Sequence, residues 1–447
     1  MQAIILAAGM GKRLKQLTNN NTKCMVKVNG TSIISRILLQ LDEFNLSKIV
    51  IVTGYKGEEL KEYIKTLNIN TNIVYVDNNI YDKTNNIYSL YLAKDYLIKE
   101  DTLLLESDLI FENDVLKNII NNSYPNLALV SKYERWMDGT VFKIDENNNI
   151  KEFIDKDKFK FSEVDEYYKT VNIYKFSKEF SENYYIPFLI AHIKSLGKNE
   201  YYEQVLKVLS LLGNKEIKVS KLNNELWYEI DDIQDLDIAE TIFESSYDKK
   251  LEKIQNRYGG YWRYPKLIDF CYLVNPFYPP KKLIDEMKCN FSRLLFDYPS
   301  GMDVNSLLAA KYFGVNKEQI VIGNGAAELI KILMENISGK IGVILPTFEE
   351  YPNRKKEDIV EYNTKNSDYR YNADDLIQYY NDKKINALLL INPDNPSGNY
   401  IKKEDVIKIA KWANSKEIMF IVDESFIDFV DMEEDKSLID EIGRAHV

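Results

Sequence analysis

Short apolar runs of strand length recur through the first half of the chain, each closing in polar residues: "AIILAAG", "KIVIVTG", "NIVYVDN", "TLLLESD" and "LALVSK". Between them the spacing turns helical, as at Ile33, Ile34, Ile37, Leu38 and Leu41, which share one face of a helix. Strands alternating with helices predict a largely parallel sheet covered on both faces. "VFKIDENNNIKEFI" breaks the rhythm and predicts a hairpin with an Asn-rich turn, so the sheet is expected to be mixed near its edge. The pattern lapses in "SSYDKKLEKIQNRYGGYWRYP", where charges give way to glycines and a proline. A linker is predicted there, over 246–257, between domains at 1–245 and 258–440. The second half has its own strand runs, "QIVIGNG", "KIGVILPTF", "INALLLINP" and "IMFIVDES", and does not repeat the motifs of the first.

Composition narrows the function. The 447 residues are 45% hydrophobic and 28% charged, enough for real cores in two or three domains. A net charge of −11 and the lack of a basic stretch exclude nonspecific nucleic-acid binding. No apolar run has the length to span a membrane. Three cysteines without metal spacing and a first strand starting at the N-terminus predict a cytoplasmic protein without a leader. With His192 and His446 the only histidines, a histidine metal site or a Ser-His-Asp triad is not expected.

The first strand run stops at "AAGMGKR", a glycine loop followed by two cations. Glycines let backbone N–H groups approach oxygens closely and the cations neutralise charge, so polyphosphate is the expected ligand. The spacing matches neither the P-loop nor the dinucleotide fingerprint. "LAAGMGKRL", the lysine of "NTKCMVKV", "LLLESDLIF" and "WYEIDDIQDL", in this order, resemble the sugar-nucleotide and phosphocholine cytidylyltransferase superfamily. The resemblance implies an α/β fold: a Rossmann-like nucleotidyltransferase domain with a mixed, mainly parallel sheet. It implies that Gly9 and Gly11 wrap the triphosphate of CTP, that Arg13 binds the departing pyrophosphate, and that Lys23 contacts the reacting phosphates. Thr22 stands where the family usually has proline. Asp108 and Asp231 are the implied Mg²⁺ ligands; Asp232 and Asp235 are close neighbours, and the "EID" reading selects Asp231.

In "DKTNNIYSLYL", Asn86 and Ser89 match the segment that reads the pyrimidine, and Asn85 and Asn86 also suit a helix cap. On the acceptor side, Lys169 matches the lysine that contacts the acceptor's phosphoryl group. Trp136 and Asp138 in "WMDGT" are expected to hold a cation, with core packing the equal alternative for the tryptophan. The aspartate favours a primary ammonium over a quaternary one.

"VIGNGAAELI", "LPTFEEY", "NPDNPSGNY" and "FIVDESFIDF" resemble fold-type I, class I/II aminotransferases near histidinol-phosphate aminotransferase. The resemblance implies pyridoxal 5'-phosphate as cofactor. Gly325, Ala326 and Ala327 would take its phosphate, Phe348 would stack on the ring, Asn395 would bond the phenolic oxygen, and Asp423 would pair with the pyridine nitrogen. Tyr298 matches the tyrosine that reaches the partner subunit's phosphate, so a homodimer through this domain is expected. The large domain is expected to be incomplete, since the family's Schiff-base lysine follows the "DES" strand and is not found here; residues 441–447 look like a non-native tail. Together the halves resemble fusions of aminoethylphosphonate cytidylyltransferase with its transaminase. The expected reaction is CTP-dependent transfer to aminoethylphosphonate, the amine being made from phosphonoacetaldehyde. The alternatives are a phosphocholine enzyme with an unrelated aminotransferase, or a second half that only binds or dimerises.

Overall fold

The structure, a computed structural model, describes all residues except 20, 135, 214–215, 258–263, 265–266, 269, 271–274, 366–367, 432–435 and 442–447. It divides into two compact units, Met1–Leu273 and Val274–Val447.

In the first unit the strand runs become β1 (Gln2–Ala7), β2 (Ile49–Thr53), β3 (Ile73–Asp77), β4 (Thr102–Glu106) and β5 (Leu127–Lys132). The predicted hairpin is β6 (Val141–Ile144) and β7 (Ile150–Ile154), followed by β8 (Tyr168–Phe176) and β9 (Lys218–Lys221). They form a nine-stranded sheet with the path β7-β6-β8-β4-β1-β2-β3, and β5 joins β8 to β9. Strands β1 to β4 pair in parallel, while β8 runs antiparallel to β4, β5 and β6. The sheet is therefore mixed where the sequence predicts it. In the hairpin turn the Asp145 carboxylate accepts from the Asn147 and Asn149 N–H groups, and Asn148 takes the left-handed conformation at φ 59°.

Apolar runs on the central strands mean burial on both faces. Residues of β1 alternate accordingly: Ala3, Ile5 and Ala7 join a core with the helix Ile33–Asp42, and Ile4 and Leu6 join a second core with Leu90, Tyr174 and Leu206. The Ser32 hydroxyl caps the Ile33–Asp42 helix by accepting from the Ser35 N–H at 3.1 Å. Each fully buried leucine or isoleucine contributes about 1.5–3 kcal/mol, which fixes the sheet as the platform for the loops at its edge.

The stretch predicted as a linker differs from expectation. Tyr247–Gln255 is a helix, capped by Ser246 and tied to the first unit by Lys253 Nζ, which donates to Asn29 Oδ1 and to the Glu240 carbonyl. Its charges serve as contacts rather than as solvation of a free connector.

The second unit contains a parallel sheet of β10 (Ile341–Leu345), β11 (Ile359–Asn363), β12 (Ala387–Ile391) and β13 (Met419–Asp423), in the order β11-β10-β12-β13. All its pairings are parallel, as buried apolar runs with helical crossovers require. Of the predicted tail, 442–447 lies outside the described residues. Among the described residues no helix is long and apolar enough to cross a membrane.

Candidate active site

The carboxyl ends of β1 and β4, the β6–β8 edge and the strand Trp227–Glu229 enclose a cleft of about 560 Å³. Ligand clefts form outside strand carboxyl ends because loops there are free to vary while the sheet holds them. Gly9, Gly11, Arg13, Lys23, Asp108 and Asp231 line one part of it, and Asn86, Ser89, Asp138 and Lys169 another.

Gly11 sits at φ 62°, and a Cβ there would stand 3.0 Å from the Lys23 Cβ. The glycine loop can thus lie directly over the lysine. Lys23 Nζ donates to Asp108 Oδ2 at 2.5 Å and to Asp231 Oδ1 at 2.7 Å, and Arg13 also pairs with Asp231 Oδ1 at 2.7 Å. Burial opposes the Lys23 charge, but Asp108 and Asp231 outweigh it and raise its pKa. Burial likewise opposes charge on Asp231, and Lys23 and Arg13 outweigh that, holding its carboxyl below the usual range. The neighbours of Asp231 have another task. Asp232 caps the helix Ile233–Ile242 through the Gln234 and Asp235 N–H groups, and Asp235 accepts from the N–H groups of Asp231 and Asp232. Only Asp231 of the three lines the cleft.

Among the described residues no three His, Cys, Asp or Glu side chains group as a metal cage. Two carboxylates are nonetheless what Mg²⁺ takes from protein when phosphate oxygens complete its shell. Asp108 Oδ1 is buried without a hydrogen-bond partner, an acceptor with spare capacity beside the paired Oδ2. The residues fit the ion.

Lys169 is buried and donates to the Thr170 carbonyl at 2.8 Å and to Glu229 Oε2 at 3.1 Å. Gly139, at φ 98°, packs against it: a Cβ would lie 3.1 Å from Lys169 Cε. The β8 register slips between Thr170 and Tyr174, and Asn172, at φ 60°, turns into the cleft and donates to Glu229 Oε1 at 3.1 Å. A bulge re-aims a side chain that regular pleating would send elsewhere.

Two expected binding residues stand differently. Trp136 stacks on Tyr228 with ring centroids 4.2 Å apart, donates Nε1–H to Glu134, and does not line the cleft. Its packing role prevails because Trp227 and Tyr228 present an aromatic surface beside it. Asn86 lines the cleft but spends its amide inside the protein: Oδ1 accepts from the Tyr202 N–H at 3.0 Å and Nδ2 donates to Glu106 at 2.9 Å. Asn85 supplies the helix cap, and the Ser89 hydroxyl is buried within 3.2 Å of Asn78 Nδ2.

Sequence reasoning missed four acids of the cleft, Glu106, Asp155, Glu203 and Glu229. Burial pushes the Glu106 carboxyl well above its ordinary range, helped by Asp108 and Glu203, and pushes Glu203 up to about 7. Burial also raises Glu229, with Lys169 pulling the other way. Glu229 is the glutamate of the "EID" triplet itself; Glu203 opens a helix, where an acid normally faces water.

In the second unit, Phe348 follows β10, Asn395 follows β12 and Asp423 ends β13, so all three stand beyond the carboxyl ends of adjacent parallel strands. Asp423 accepts from the Tyr351 hydroxyl at 2.7 Å and from the Ser425 N–H at 2.8 Å. Gly325 precedes the helix Ala326–Asn336, whose first residues, Ala326 and Ala327, are exposed. Tyr298 is wholly exposed.

Comparison with known proteins agrees with this division. Residues 2–236 match the family model "Nucleotidyl transferase" and residues 278–445 match "Aminotransferase class I and II". The chain is 28% identical to CMP-5'-(3-aminopropyl)phosphonate synthase of Streptomyces rubellomurinus over 433 residues, covering 96% of this chain and 68% of that protein. It is 26% identical to CTP:phosphoglutamine cytidylyltransferase of Campylobacter jejuni, over 53% of this chain and 98% of the relative. It is also 30% identical to L-serine phosphate decarboxylase of the same organism, over 42% of this chain and 53% of the relative. The chain belongs to the nucleotidyl transferase family, and that domain is joined to a region that matches the class I and II aminotransferase model.

Proposed function

We propose that the first unit transfers a cytidylyl group from CTP to an acceptor bearing both a phosphonate and a primary amine, 2-aminoethylphosphonate, with release of pyrophosphate. An acceptor oxygen would attack the α-phosphorus in line as the bond to pyrophosphate breaks, so the protein's work is positioning and charge stabilisation. The observation that carries the reading is the pairing of Lys23 with Asp108 and Asp231 in the cleft that also holds Lys169. The cytidylyl relatives and the phosphonate relative support the choice of nucleotide and acceptor.

Asp108 and Asp231 would hold Mg²⁺, which when bound neutralises phosphate charge. Lys23 would steady the reacting phosphates and Arg13 the leaving pyrophosphate. The Gly9–Gly11 loop offers backbone N–H groups, and Lys169 orients the acceptor's phosphonate. Trp136, in its stack on Tyr228, is not available as a face for a quaternary ammonium, which favours a primary amine.

For the second unit we propose part of a pyridoxal-phosphate transaminase of the kind that makes such an amine, with the dimer expected of its class. Its cofactor cradle is without the Schiff-base lysine and so inactive in this form. Asp423, already oriented by Tyr351, suits a protonated pyridine nitrogen, and the cofactor when bound supplies an electron sink. Phe348 and Asn395 would hold the ring from neighbouring strand ends.

Pyrophosphate release from CTP and Mg²⁺, compared across 2-aminoethylphosphonate, phosphoethanolamine and phosphocholine, tests the assignment. Preference for phosphocholine would overturn the acceptor, and preference for another nucleotide would overturn the donor.

A further inference from the structure

A cleft for triphosphate and phosphonate needs cations, yet five carboxyls line it beyond the Asp108–Asp231 pair: Glu106, Asp138, Asp155, Glu203 and Glu229. Glu106 accepts from Asn86, and both oxygens of Glu229 are taken by Lys169 and Asn172. Glu203 is only 6% exposed, lines the cleft, and has its Oε2 buried with no donor in full hydrogen-bond geometry. The buried Tyr202 hydroxyl beside it is the nearest donor and favours the carboxylate, without reaching full hydrogen-bond geometry. Lys169 faces this corner but is paired with Glu229, and Lys207, one turn along the helix, lines the cleft paired with Asp155. A buried carboxylate oxygen left unmatched is costly, so an acceptor site of this kind is built for a donor that arrives with the ligand.

We propose that Glu203 binds the primary ammonium of the acceptor, a specificity contact that rests on the cytidylyl-transfer reading above. The ammonium brings a positive charge not already paired with another carboxylate and three N–H donors, of which Glu203 Oε2 takes one. A trimethylammonium has no N–H to give and leaves Oε2 as it stands. Asn86 acts as a positioning residue: by bonding both Glu106 and the Tyr202 N–H, it ties the start of the Glu203 helix to the strand end that carries Glu106. The acceptor is then read at both ends, phosphonate by Lys169 and ammonium by Glu203.

The test compares 2-aminoethylphosphonate with ethylphosphonate, which lacks the amine, in wild type, Glu203→Gln and Glu203→Asp. Glu203→Gln should lower kcat/KM for the amine acceptor on the order of 30-fold and leave that for ethylphosphonate within about threefold. Glu203→Asp should recover part of the selectivity. Equal losses on both acceptors, or none, would overturn the proposal. If the Gln variant does not fold, selective loss in the Asp variant supports the contact and its absence refutes it. Wild type that releases no pyrophosphate with 2-aminoethylphosphonate overturns the transfer reading instead. Calorimetric binding of that compound to wild type and Glu203→Gln then judges Glu203 alone: weaker binding to the variant upholds it, equal binding does not.

Discussion

Lys169 and Glu229 form an ion pair at 3.1 Å, with the lysine side chain only 2% exposed and the glutamate 20%. Two strands far apart in the chain thereby share one buried charge balance. Removing one partner leaves the other charged and shielded from water. Lys169→Ala is expected to destabilise the first unit by about 3 kcal/mol, read from denaturant midpoints, and to depress turnover with every phosphonate or phosphate acceptor. A variant of unchanged stability would show that water already compensates Glu229.

Asp108 offers a different balance, since its Oδ1 contributes no hydrogen bond to the fold. Asp108→Asn takes one of its two carboxylates from buried Lys23, so it should lower stability, and it should reduce pyrophosphate release by on the order of a thousandfold. The rise in Tm that CTP with Mg²⁺ produces in wild type should also disappear. Near-normal turnover would remove Asp108 from the ion's site.

Glu203 makes stability depend on pH. Its carboxyl rises from 4.5 unfolded to about 7 folded, so between those values the folded state keeps a proton the unfolded state has lost. Stability therefore falls as pH rises through this window, and the full cost is present above it. One pKa unit corresponds to about 1.4 kcal/mol, so the cost is on the order of 3 kcal/mol. Glu203→Gln should be the more stable protein at pH 8 and nearly equal to wild type at pH 4. A gap that does not change with pH would contradict the buried acid.

Gly139 and Gly197 separate strain from crowding. Both lie at φ 98°, but a Cβ at Gly139 meets Lys169 whereas one at Gly197 meets nothing within 4 Å. Each Gly→Ala change should cost about 1 kcal/mol or more of stability. Only Gly139→Ala should also raise KM for the acceptor, since it displaces the Lys169 side chain. Equal KM values in the two variants would argue against close packing of glycine and lysine.

Much of this protein was legible in the sequence because it depends on neighbours along the chain. Apolar runs with helical spacing between them specify parallel strands and their covering helices, and "DENNN" specifies the hairpin turn through Asp145 and Asn148. Gly11, Lys23, Asp108 and Asp231 were expected from the resemblance carried by four ordered motifs, and the fold brings them to one cleft. Tertiary structure decided the rest. Trp136 found Tyr228, Asn86 was drawn to Glu106 and Tyr202, and the Tyr247–Gln255 helix docked through Lys253. A charged residue at a helix start reads as solvated whether or not another element covers it, so the burial of Glu203 leaves no local signature. Its missing partner follows from how β4, β8 and the Glu203 helix converge, because desolvation is a property of the whole surrounding volume and not of adjacent residues.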